Sequence, residues 1–187
     1  MSVRDMPTRD LLALITKRQI DDEFLDRPLL EILKKPVGDH YPTQLLAAGE
    51  IMQRAFCEEM RFQDVITDPE AMQSYLRLYL AAKEHECFVA LFLNLRYSLI
   101  EAVELFRGTL SQTSVYPREV VKAALQCNAS AVVFAHNHPS GSCTPSQADR
   151  SLTQVLKEAL SVIDVRVLDH LIVSGTTTRS MASMGDM

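Results

Sequence analysis

Five apolar residues, Ala131-Val132-Val133-Phe134-Ala135, run without a break into His136-Asn137-His138-Pro139-Ser140-Gly141. A short apolar run that ends in turn residues suits a buried strand. The polar loop closes at Thr144-Pro145-Ser146-Gln147, which has the form of a capping box with proline in the first turn, and a helix of about four turns is expected to follow. Strand, loop and helix in this order point to an α/β fold.

The flanking segments extend that reading. Cys87 to Leu93 is a second continuous apolar run, suited to a central strand, and Leu99 to Phe106 is expected to pair with it. Pro117 stands at a plausible first helical position ahead of Val120, Val121, Ala124 and Leu125, which predicts a crossover helix. VRVLDHLIVSG has strand composition, and the tail TTTRSMASMGDM is expected to close the sheet edge or fray.

Ahead of this, apolar residues recur at helical steps in Leu11, Leu12, Leu14 and Ile15 and again in Leu29, Leu30, Ile32 and Leu33, punctuated by Pro28, Pro36 and Pro42. Thr43 is expected to cap a longer helix that carries Leu45, Leu46, Ile51, Met52 and Phe56. The stripes at Leu45 to Phe56 and Met72 to Leu80 read as core or interhelical contact. The character changes at ITDPEAMQSYLRLYL, so a helical region over 1–64 and an α/β domain over 65–187 are expected.

With 187 residues, 47% hydrophobic and 23% charged, the chain has the balance of a globular protein with a real core and is too short for a large multidomain enzyme. Its formal net charge of −5 gives no excess of positive charge to neutralise phosphates, which disfavours nucleic acid as a partner. No apolar run approaches the roughly 18 to 20 residues needed to cross a bilayer, and the opening MSVRDMPTRDLLALITKRQIDD is interrupted by charge before a signal-peptide core forms. A cytoplasmic protein is expected. Cys57, Cys87, Cys127 and Cys143 form no CxxC pair, so neither a zinc ribbon nor a disulfide framework is indicated.

His136 and His138 are two apart at a strand end, where both rings project to one side and can converge on one ion. A helix opening at Pro145 places Ser146 in its first turn and Asp149 three residues on, on the same face. Two neutral imidazoles and one carboxylate are the donor set of an open catalytic zinc site, whose water has a pKa of roughly 7. That chemistry also needs a carboxylate base and a donor for the oxyanion, and Ser146 is the natural donor. An amidohydrolase barrel needs about 250 residues, and a zinc nucleobase deaminase needs HxE followed by PCxxC. Neither fits.

The spacing HxHx7SxxD resembles that of the JAMM, or MPN-plus, zinc metallopeptidases of the JAB-domain class. HNHPSG, TPSQAD and DHLIV look like the RadC branch in particular. The likeness covers about residues 66 to 187 and includes HECFVALFLN, GTL and YPREVVKAAL. It implies a compact mixed sheet flanked by helices, with one Zn2+ held by His136, His138 and Asp149 and with Ser146 stabilising the tetrahedral intermediate. The family's general base, a glutamate at the start of the strand before the histidine segment, matches Glu86, with Glu84 and Glu119 as alternatives.

The implied activity is a metallopeptidase or isopeptidase acting on a peptide or isopeptide-linked protein. The alternative is a non-catalytic, metal-containing protein- or DNA-binding module linked to DNA repair or mobile elements. Ser142-Cys143-Thr144 occupy a stretch that is usually acidic in the RadC loop, and Cys143 reads as a spectator. Asp169-His170 reads either as a pair orienting a ligand or as a satisfied strand histidine.

Overall fold

A computed structural model describes residues 6–34, 42–80, 83–108 and 115–187. Pro36 and the Thr109-Leu110 pair lie outside the described residues. Four helices come first: α1 (Thr8–Thr16), α2 (Asp22–Leu25), α3 (Leu29–Lys34) and α4 (Thr43–Phe62). The rest is α5 (Glu70–Leu80), β1 (Glu86–Leu93), β2 (Leu99–Gly108), α6 (Pro117–Gln126), β3 (Ala131–Asn137), α7 (Gln147–Ser161), β4 (Arg166–Ser174), β5 (Thr177–Ser180) and α8 (Met181–Met184).

The five strands form one mixed sheet in the order β2-β1-β3-β4-β5. β1 is antiparallel to both β2 and β3, β3 and β4 are parallel, and β5 closes the edge against β4. The helix α6 is therefore a crossover that carries the chain from β2 past β1 to β3, and α7 links the two parallel strands.

Alternation along the central strands splits the core into two layers. Val89, Leu91, Val133 and Ala135 face Met72, Tyr75, Leu76 and Leu80 of α5, together with Met60 of α4. Phe88, Ala90, Phe92, Val132 and Phe134 face Val120 and Ala124 of α6 and Leu156 and Leu160 of α7. β1 and β3 are buried on both faces, which explains why their sequences are continuously apolar rather than alternating. By parity His136 belongs to the α7 face and Asn137 to the α5 face.

Leu12, Ile20, Ile32 and Leu45 form a separate small core among α1–α4. α4 approaches α3 so closely at Gly49 that a Cβ there would run into the Leu33 carbonyl oxygen. The same helix reaches the sheet layer through Phe56, Cys57 and Met60.

Three local expectations change. Thr43 is the first helical residue of α4 rather than its cap, because the extended Pro42 takes the cap position and no side chain caps the helix. Within the Leu45 to Phe56 stripe, Leu45 is buried but Ile51 and Met52 are exposed, since α4 packs on one side only. Leu125 of α6 is likewise exposed. Among the described residues no helix is long and apolar enough to cross a membrane.

Candidate metal centre

β3 ends inside the sheet, and its last turns of chain carry the site. His136 pairs in register with Phe88 of β1, and its ring lies nearly parallel to the Phe88 ring with centroids 6.3 Å apart. The strand-like course continues one residue beyond β3, where the His138 amide donates to the Val173 carbonyl at 2.9 Å. This keeps His138 on the same side as His136, and their Nε2 atoms lie 2.8 Å apart.

The third donor comes from the start of α7. Ser146 is its N-cap, one residue outside the helix and not in its first turn as the sequence suggests: helical geometry begins at Gln147. The Ser146 Oγ accepts the Asp149 amide at 3.1 Å, while Asp149 Oδ2 accepts from the Ser146 amide at 2.7 Å and from its hydroxyl at 2.6 Å. This capping box turns the carboxylate back toward the histidines. Asp149 Oδ1 lies 3.3 Å from His136 Nε2, and Oδ2 lies 3.6 Å from His138 Nε2.

His136, His138 and Asp149 thus form one compact donor cluster. Their spacings are close to those of a tetrahedral set with bonds of about 2.0–2.2 Å, the histidine pair being the tightest. His138 Nδ1 is 2.7 Å from the Ser142 carbonyl, which can only accept, so Nδ1 carries the proton and Nε2 presents its lone pair. The residues fit a first-row divalent ion of the zinc type in number, chemistry and orientation.

The electrostatics agree. His136 is fully buried, and burial pushes its pKa down to about 4 against the pull of Asp149, so the ring is neutral. The Asp149 carboxylate raises His138, with burial opposing and the Ser142 carbonyl and Glu86 assisting. Burial alone would raise Asp149, but His138, His136 and the Ser146 donors outweigh it and hold the carboxyl below the ordinary range. A half-polar site that keeps one imidazole neutral and one carboxylate ionised is set up for a cation.

Glu86 opens β1 two residues before Phe88, on the same face, which brings it abreast of His138. It lines a cavity of about 640 Å3 together with Glu84, His138, Ser146 and Asp149. Glu84 and His138 also border a second cavity of about 630 Å3 that runs toward Gly175 and Thr177. Glu119 lines neither: it sits on α6, half exposed, 3.3 Å from Arg118. Cys143 is a free thiol with Sγ 3.6 Å from the Thr177 carbonyl, outside the donor cluster.

The Asp169-His170 pair divides. Asp169 Oδ1 accepts the Ala182 amide at 3.1 Å and so fastens β4 to α8. His170 is fully buried behind the site, with Nε2 2.8 Å from His136 Nδ1 and Nδ1 2.6 Å from the Thr153 hydroxyl. Two supporting residues escape a sequence reading. Thr153 stands four residues after Asp149, on the same face of α7, and that spacing is its only signal. Asn137, lodged between the two histidines, has its side chain bonded to the segment 83–87.

A family profile described as "RadC-like JAB domain" matches residues 66–186. The chain is similar to UPF0758 proteins: 54% identical over 158 residues to that of Nitrosomonas eutropha, covering 84% of this chain and 70% of the relative. Against the Polaromonas sp. protein it is 52% identical over 151 residues, 81% of this chain and 67% of the relative. Against that of Nitrosospira multiformis it is 56% identical over 142 residues, 76% and 63%. The names of these relatives state no activity, and the matches span roughly two thirds of their length.

Proposed function

We infer the function from family and site together: the chain belongs to the RadC family of JAB-domain proteins, and its donor cluster is complete. The reading is a zinc-dependent hydrolase of amide bonds, a metallopeptidase or isopeptidase acting on a peptide or an isopeptide-linked protein. The observation that carries it is the convergence of His136, His138 and Asp149 beside a cavity that Glu86 also lines.

His136, His138 and Asp149 would hold one ion. Bound there, zinc would supply Lewis acidity for the scissile carbonyl and would lower the pKa of a water to roughly 7. Glu86 takes the proton from the attacking water and returns it to the leaving amine. Ser146 donates to the oxyanion once its hydroxyl turns from Asp149, and its helix-capping amide contact leaves the loop in place while it does so.

A second reading, a module that binds metal and a protein or DNA partner without turnover, draws support from one observation. The Ser146 hydroxyl proton is directed to Asp149 rather than to the cavity.

Elemental analysis of wild type and His138→Ala, purified without added metal or a metal-binding tag, tests the site. About one zinc per chain in wild type, lost in the variant, is the expected result. A screen of peptide and ubiquitin-like conjugates with Glu86→Gln as control then separates the readings. Cleavage abolished in Glu86→Gln supports the hydrolase, and full activity in that variant removes Glu86 as base. Partner binding that depends on His136 without cleavage supports the module.

A further inference from the structure

Behind the donor cluster runs a buried chain of polar groups: the Asp149 carbonyl, Thr153, His170 and His136. Thr153 Oγ1 lies 2.6 Å from the Asp149 carbonyl oxygen and 2.6 Å from His170 Nδ1. His170 Nε2 lies 2.8 Å from His136 Nδ1. His136 and His170 are fully buried, Thr153 is 1% exposed and Asp149 3%.

The direction of these bonds follows from one fixed end. A backbone carbonyl only accepts, so the single Thr153 proton goes to Asp149. Toward His170 the threonine oxygen is then an acceptor, and His170 Nδ1 must carry the proton. A neutral imidazole has one N–H, which leaves His170 Nε2 as an acceptor. His136 Nδ1 therefore carries its own proton and donates to His170, and His136 Nε2 is left with the lone pair that an ion requires. Full burial between Phe88 and Phe134 keeps the His170 ring neutral and in place.

We propose that Thr153 and His170 are positioning residues that lock His136 in its metal-binding tautomer, with the backbone carbonyl of the carboxylate ligand, Asp149, setting the direction of the relay. The relay rests on the metal-site reading above for its purpose, but its proton placement is a property of the metal-free chain. Reversing it has a definite effect. Were Thr153 to donate to His170, each N–H would move to the other nitrogen, and His136 Nε2 would face Asp149 and His138 with a proton in place of its lone pair.

Proton–nitrogen NMR of the histidine rings in the metal-free full chain reads the tautomers directly, and zinc competition against a chelator reads the consequence. His170 and His136 are expected with the proton on Nδ1 in wild type. Thr153→Ser should keep both tautomers and hold zinc affinity within about threefold, whereas Thr153→Val and His170→Phe should weaken zinc by about 10- to 100-fold. In Thr153→Val the His170 proton should shift toward Nε2, an effect that loss of packing alone would not produce.

A wild-type His170 protonated on Nε2 would overturn the proposal, as would zinc affinity in folded Thr153→Val equal to that of wild type. Should that variant fail to fold, the wild-type ring spectrum still decides. A wild type that binds no zinc would sink the hydrolase reading, while the ring tautomers would still stand for or against the relay.

Discussion

The Asn137 side chain accepts the Cys87 amide through Oδ1 at 2.7 Å, across the gap between the ends of β3 and β1. Its Nδ2 donates to the His85 carbonyl at 3.0 Å and the Lys83 carbonyl at 3.3 Å. The residue between the two histidine donors thereby pins the stretch that carries Glu84 and Glu86. Glu86 and the donor cluster are thus held in one frame.

Asn137→Ala removes all three bonds and leaves the buried Cys87 amide unmatched, at an expected cost of about 2–4 kcal/mol. Thermal unfolding of the purified variant measures it. Zinc stoichiometry should survive, because Asn137 faces away from the donors, and unfolding at the wild-type temperature would show that the segment is anchored elsewhere.

Ser146 and Asp149 share the capping box but differ in what they give the site. Ser146→Ala should cost about 1 kcal/mol of stability and retain zinc, whereas Asp149→Ala should lose both cap and metal. Calorimetry together with elemental analysis of the two variants distinguishes these outcomes, and zinc lost from Ser146→Ala would count against the assignment.

Proton and metal compete for the same lone pairs, so zinc affinity falls wherever a donor protonates in the metal-free chain. His138 has a folded pKa above its ordinary 6.5, while that of His136 is depressed to about 4 by burial. Asp149 stays ionised throughout. Affinity should therefore drop about tenfold per pH unit below the His138 pKa and steepen to about a hundredfold only as pH nears 4. A two-proton slope already near pH 6 in a zinc titration would contradict the neutral, buried state of His136.

The strand, loop and helix unit from Ala131 to Ser161 is legible in the sequence because its signals are local: a short apolar run, two histidines in one strand register, and a proline-marked helix start ahead of a carboxylate. The capping box, however, is formed by Ser146 and Asp149 and not by Thr144 and Gln147. The second apolar run at Cys87 to Leu93 is legible for the same reason. The helix start is misread by two residues, Pro145 for Gln147, because proline also favours the extended backbone just ahead of a cap. Thr153 and Asn137 are not legible in their roles, since each meets its partner through packing of α7 or β1 against β3, whereas His170 is legible only as one of two readings, a ligand-orienting residue or a satisfied strand histidine. The sequence favours Glu86 over Glu119 only through the family resemblance, and the fold separates them physically, Glu86 lining the cavity beside the donors and Glu119 lying on α6 away from it.

Gly49→Ala tests the seam between α3 and α4. The added Cβ would press on the Leu33 carbonyl, and the expected loss is about 1–3 kcal/mol. Because this seam belongs to the small helical core and not to the donors, zinc affinity should stay at its wild-type value. Stability unchanged by the substitution would mean that α3 yields freely.

His136 and Asp149 are neighbours in the chain as well as in space, separated by one loop between consecutive elements. An ion shared by them ties a short stretch already held at both ends, so the loop-closure entropy it saves is small. The apolar layers on both faces of the sheet do the work of holding the scaffold up. An ion bound there would consequently be a lodger rather than a rivet: filling or emptying the site would be a plain binding equilibrium, with no unravelling of the chain attached to it.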